Sequence, residues 1–140
     1  MRNESVRQVD VFFYGLCMDK DLLLEKGCTP TKERIASVQA YALRIGQRAT
    51  LVPSADHVVY GVVMSLSHHD IDILYSDESV SMYRPEAIIA RPSSGMFVPA
   101  LCFNLPLPPS PDEHNTEYAT KLRALTHQLG FPRDYVTSIH

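Results

Sequence analysis

Asp77 and Glu78 are adjacent carboxylates followed by Ser79, Ser81, Tyr83 and Arg84, a set of side chains suited to moving a proton. They come just after Ile71, Leu74 and Tyr75, which share one face at helical spacing. A carboxylate leaving the C-terminal end of a helix for a loop sits where the helix dipole disfavours negative charge. That placement, on a rigid scaffold, suits general acid–base work. A solvated acidic turn has the same sequence, so the pair does not decide alone.

Two other groups invite chemistry. Cys17 precedes a predicted helix start, a position that lowers a thiol pKa. A nucleophilic cysteine also needs a base such as His57, His68 or His69, and the sequence places none beside it, so a packing role is favoured. His68-His69-Asp70-Ile71-Asp72 has ligand-type residues, yet adjacent histidines on a helix point about 100° apart. No metal site is expected, and a solvated helix face carrying a cap explains the run.

The elements that position these residues follow from periodicity. Val9 to Tyr14 is a β-branched and aromatic run ending at Gly15, which predicts a buried strand. A turn, Gly15-Leu16-Cys17-Met18, leads to a short helix capped by Asp19 and stopped by Gly27. Such a junction leaves backbone N–H groups open to an anionic group. Ile35 to Ile45 predicts a bent strand, and Arg48 to Val52 a short one closed by Pro53-Ser54-Ala55-Asp56. His57 to Leu66 is apolar on both faces and should be central, with Gly61 marking a bulge or a close backbone approach.

Ser67-His68-His69-Asp70 has the form of a capping box opening the helix that ends near Ser76. Strands are expected at Ala87 to Ala90 and Phe97 to Leu105, joined by the turn Arg91 to Gly95. Beyond a proline-rich connector, Ser110-Pro111-Asp112-Glu113 is a second capping-box candidate. The stripe Tyr118, Leu122, Leu125 and Leu129 predicts a helix ended by Gly130 and Pro132, and Arg133 to Ile139 a last short one. The sum is α+β, with a curled, barrel-like sheet.

At 140 residues, 45% hydrophobic and 21% charged, the chain reads as one domain, 1–140, of an ordinary globular protein. A net charge of −3 gives no reason to expect nucleic acid as a partner. No apolar run reaches the length of a membrane span, and the charged N-terminus lacks a signal-peptide core. Three scattered cysteines suit a reduced, cytoplasmic protein better than a disulfide framework.

Taken in order, Phe13-Tyr14-Gly15, Val59-Tyr60-Gly61-Val62-Val63, Leu74 to Val80 with Tyr83-Arg84, the proline-rich connector and Leu129-Gly130-Phe131-Pro132-Arg133-Asp134-Tyr135 resemble the gamma-glutamylcyclotransferase-like family. The resemblance covers most of the chain. It implies a small mixed β-sheet closed into a barrel-like core with flanking helices. It also implies a transferase or lyase that releases 5-oxoproline from a small γ-glutamyl amino acid or amine. The family's catalytic glutamate maps onto Glu78, five residues before Tyr83. It would take the proton of the substrate's α-amine and return it to the leaving amine. Folding the substrate into a near-attack shape contributes roughly 7–11 kcal/mol, and no metal or organic cofactor is implied.

The same resemblance assigns Tyr14, Gly15, Leu16, Cys17 and Met18 to the loop that holds the glutamyl portion and faces the developing oxyanion, with Tyr83 as a further substrate contact. Here Leu16 and Cys17 stand where the family has Ser and Asn, and Ser79 where it has Gly after the glutamate. Backbone donors survive those changes but two side-chain donors do not, and losing one oriented donor can lower rate by about 10²–10³. An alternative therefore stays open: a catalytically weak or inactive small-molecule binding module of the same fold.

Overall fold

The computed structural model describes residues 7–140; positions 1–6, part of the N-terminal segment read above as lacking a signal-peptide core, lie outside them. Strand β1 (Gln8–Phe13) buries Val11 and Phe13 on one face and Phe12, followed by Tyr14, on the other. It pairs antiparallel with β3 (Ala49–Ser67) from Gln8↔Ser67 to Phe13↔Val62. With β2 (Thr31–Ile45), β4 (Arg84–Pro92) and β5 (Val98–Asn104), the order around a closed barrel is β1-β3-β2-β4-β5. The circle closes through parallel pairing of β1 and β5 at Val11↔Leu101, so the sheet is mixed as well as barrel-like.

Two apolar layers explain why β1 and β3 are hydrophobic on both faces. Phe12, Val38, Val59, Val63, Ile88 and Cys102, all strand residues, fill the barrel. Val11, Phe13, Val62 and Met64 face outward against Met18, Leu23, Leu74 and Leu122 from the helical segments. Those segments are a 3-10 turn at Leu16–Met18, α1 (Lys20–Glu25), α2 (His68–Tyr75), α3 (Thr116–Gln128) and α4 (Arg133–Ser138). Leu122 is wholly buried, so its truncation to alanine should cost about 2–5 kcal/mol. Gly61 is required by close approach: a Cβ there would lie 2.2 Å from the Phe13 carbonyl oxygen.

Two expectations need correction. Pro53-Ser54-Ala55-Asp56 does not separate two strands, because β3 runs unbroken for 19 residues. The ladder to β2 jumps from Gln39↔Val58 to Tyr41↔Pro53, so residues 54–57 have no β2 partner among the described residues while the strand continues. Proline is tolerated at that break because no regular ladder needs its missing N–H. Opposite it, Ala40 has a φ of 68°, a left-handed conformation that costs an L-residue about 1–2 kcal/mol.

The second concerns Ser110 to Glu113, which folds as a turn and does not start a helix. Glu113 accepts the Ser110 N–H at 2.9 Å as a capping box would, but its other oxygen accepts the Gln47 N–H at 3.3 Å. The helix begins later, where the Asn115 side chain caps the Tyr118 N–H at 3.0 Å. Among the described residues no helix is long and apolar enough to cross a membrane.

Candidate functional site

The Gly15–Met18 segment forms because β1 ends at Phe13 and the chain tightens into a 3-10 turn, with the Met18 N–H donating to the Gly15 carbonyl at 3.0 Å. Asp19 then caps α1 through the Asp21 N–H at 3.0 Å. Met18 is fully buried and serves the core. Tyr14 is buried too, and its hydroxyl donates to the Phe103 carbonyl at 2.7 Å, tying β1 to β5. Burial keeps that phenol protonated well above its usual range. Gly15, Leu16 and Cys17 are half-buried and reachable.

Three phenols pack around the same core cluster as Leu16 and Cys17 of this turn. Tyr118 comes from the first turns of α3 and its hydroxyl accepts the Leu16 N–H at 3.3 Å. A Cβ on Gly15 would sit 2.4 Å from that hydroxyl oxygen, so glycine is what lets Tyr118 reach the turn. Tyr75, the last residue of α2, stacks on Phe103 at 4.0 Å between ring centroids and lies 6.3 Å from the Tyr83 ring. Tyr83 donates its hydroxyl to the Ala49 carbonyl. Burial raises all three phenols, Tyr118 to about 12. Phenols held protonated can donate hydrogen bonds near neutral pH but cannot serve there as bases.

Burial also raises the Cys17 thiol, only partly countered by Lys26. The thiol is therefore protonated near neutral pH, a poor state for a nucleophile. His57, His68 and His69 are exposed. Among the described residues no three His, Cys, Asp or Glu side chains converge as a metal-binding group.

Asp77 and Glu78 lie beyond the end of α2, in a turn closed by the Val80 N–H donating to the Asp77 carbonyl at 3.0 Å. Asp77 is a structural cap: its carboxylate accepts both the Ser79 N–H and the Ser79 hydroxyl at 2.8 Å, which lowers its pKa. Arg48 donates to the Ser79 carbonyl at 2.7 Å and Arg84 to the Ser81 carbonyl at 3.0 Å, so the turn is pinned from two sides. Glu78 is exposed, and its carboxylate forms no hydrogen bond or ion pair among the described residues. Tyr83, from the same stretch, packs against the core cluster that Cys17 and Tyr118 also cover.

The structure accordingly joins Leu16, Cys17 and Tyr83, leaves Tyr14 and Met18 in the core, and sets Glu78 toward solvent. In the sequence, Tyr75 and Tyr118 are marked only as members of apolar helical stripes. A phenol where leucine would pack as well is the available signal, because its polar tip needs a destination. Two cavities, of about 450 and 570 Å³, are lined by other residues.

The fold has solved counterparts. A structure described as a gamma-glutamyl cyclotransferase matches with a TM-score of 0.75 at 18% identity, over 95% of this chain and 86% of that one. The human protein loc79017 matches at 0.74 and 19%, over 94% and 86%. YkqA from Bacillus subtilis matches at 0.76 and 19%, over 97% of this chain but 54% of that longer one. Comparison by sequence with curated proteins yields no match. The family model for gamma-glutamyl cyclotransferase, AIG2-like proteins matches residues 11–121, most of the barrel together with the phenols of α2 and α3, and the chain belongs to that family.

Proposed function

We propose that this chain is a binding member of the family, one that holds a small γ-glutamyl compound or related amide at the Gly15–Cys17 turn and turns it over slowly or not at all. The observation that carries this reading is the Leu16 N–H, the backbone donor a developing oxyanion would need, which is already given to the Tyr118 hydroxyl. Tyr75 and Tyr83, packed around the same core cluster, and the protonated Cys17 thiol of the turn cannot accept the α-amine proton near neutral pH.

A second reading is a cofactor-independent γ-glutamyl cyclotransferase releasing 5-oxoproline, with Glu78 as general acid and base. It is favoured by family membership, and by a carboxylate that no donor among the described residues claims, on a turn pinned by Arg48 and Arg84. In it the substrate's amine would meet Glu78 at the solvent edge of the turn.

One experiment separates them. The protein is incubated with γ-glutamyl amino acids, γ-glutamylamines and glutathione, 5-oxoproline is followed, and ligand-induced shifts in amide resonances report binding. Shifts centred on residues 15–17 without release support the binding reading. Release that Glu78→Gln abolishes, with the fold intact, establishes the second reading and overturns the first.

A further inference from the structure

The barrel is closed unevenly. β4 pairs with β5 over seven residues, Arg84↔Asn104 to Ala90↔Val98, but with β2 only at Ala36↔Pro92 and Ser37↔Arg91. The cause lies in β2. Ala40, at a φ of 68°, sits where the register to β3 shifts between Gln39 and Tyr41, and such a bulge bends the strand away from its other neighbour. Past Ser37 and Arg91, alternate residues of both strands turn backbone N–H and C=O groups into the seam, where no ladder forms among the described residues.

The seam holds a cavity of about 450 Å³ lined by Val38, Gln39 and Tyr41 of β2 and by Ala87, Ile88 and Ile89 of β4. Its mouth is apolar, with Ile89 55% exposed and Phe97 62% exposed. Among the described residues, Arg91 is the one charged side chain in the lining, its guanidinium 5.9 Å from the Phe97 ring centroid. It forms no ion pair among the described residues.

We propose that this seam docks an extended segment of a partner protein as an added β-strand, with apolar side chains alternating with acidic ones. Open backbone donors and acceptors along a strand edge call for another strand, since only an extended chain meets them at their spacing. Strand alternation turns Ile88 inward and Ile89 and Arg91 outward, so inward side chains of the docked strand meet Val38 and Ile88 and are apolar, while Arg91 selects a carboxylate among the outward ones. From Val38 to Tyr41, at about 3.3 Å per residue, there is room for a strand of about four residues. This surface is separate from the Gly15–Cys17 turn, so its occupancy does not depend on the function proposed there.

The test uses the full chain and a fluorescein-labelled ten-residue peptide alternating valine with glutamate. Fluorescence anisotropy reads binding, and hydrogen exchange reads the amides of residues 38–41 and 87–90. The expected result is saturable binding, with exchange at those amides slowed at least tenfold. Arg91→Glu should weaken binding at least tenfold, and a valine–lysine peptide should recover it. Phe97→Ser, at an exposed position where the fold is not at risk, should weaken it as well. A peptide with proline at its central valine positions should not bind. Absence of binding, binding without protection of the seam, or equal binding of the proline peptide overturns the proposal. So does concentration-dependent self-association that protects the seam without peptide, which would assign it to a second copy of this chain.

Discussion

The Tyr118 hydroxyl and the Leu16 N–H meet at 3.3 Å across 102 residues of sequence, joining α3 to the turn after β1. This bond fills the place where the family's resemblance puts an open backbone donor. Gly15 makes it possible by leaving room for the phenol.

Tyr118→Phe should therefore separate packing from obstruction. It keeps the ring and removes the oxygen, so stability should fall by about 1 kcal/mol, the net worth of one hydrogen bond. Affinity for γ-glutamyl ligands should rise several-fold because the Leu16 N–H is released. Urea denaturation and calorimetric titration of the same variant read the two effects. A loss of stability with unchanged or weaker affinity would mean that Tyr118 supports the site and does not block it.

Glu78→Gln tests the acidic turn directly. Glu78 is exposed and its carboxylate holds no partner among the described residues, so stability should change by no more than about 0.5 kcal/mol. Asp77→Ala, by contrast, removes the acceptor for the Ser79 N–H and hydroxyl and should loosen the turn. Amide exchange at Ser79 and Val80 should quicken in that variant and not in Glu78→Gln.

The contrast between these neighbours also shows where sequence reasoning reaches and where it stops. Alternation along Val9 to Tyr14 and on both faces of His57 to Leu66 announces doubly covered strands, and Gly61 announces the close approach that Phe13 makes. The capping residues Asp19 and Ser67 are equally local, and both cap as expected. Tyr118 over Leu16 is not local, because nothing in a stripe of Tyr118, Leu122, Leu125 and Leu129 tells which barrel loop its first member will touch. Ser110 to Glu113 misleads for the same reason: a tertiary donor, the Gln47 N–H, competes for the carboxylate that would have supported a helix start. Residues 54–57 look like a turn locally, yet the β2 ladder resumes on either side of them.

Asp70→Ala should cost more stability than Tyr118→Phe or Glu78→Gln. This buried carboxylate accepts the Thr29 N–H at 2.9 Å, while its own N–H donates to the Ser67 hydroxyl at 3.1 Å. It thus clamps the start of α2 to the segment entering β2, and α2 is what delivers Tyr75. Removing the acceptor strands a part-buried N–H, at a cost of about 1–3 kcal/mol. Thermal unfolding should show the loss, and near-ultraviolet circular dichroism a weakened Tyr75–Phe103 signal.

The phenols give the fold an alkaline limit. Burial raises Tyr14, Tyr75 and Tyr83 above the ordinary tyrosine value of 10.0 and carries Tyr118 to about 12. A folded-state pKa above the unfolded one means that the native chain binds more protons in the interval between them. The stability contributed by keeping these phenols neutral is complete below about pH 10 and is lost as pH rises towards 12 and beyond, at up to about 1.4 kcal/mol per pH unit for each engaged phenol. Absorbance at 295 nm should accordingly show these tyrosines ionising late and together with loss of the native circular dichroism. Tyr118→Phe removes one such group, so the slope of stability against pH above 10 should become shallower in that variant. Independent ionisation of all the tyrosines near pH 10, with the fold intact, would contradict the burial that defines the cluster.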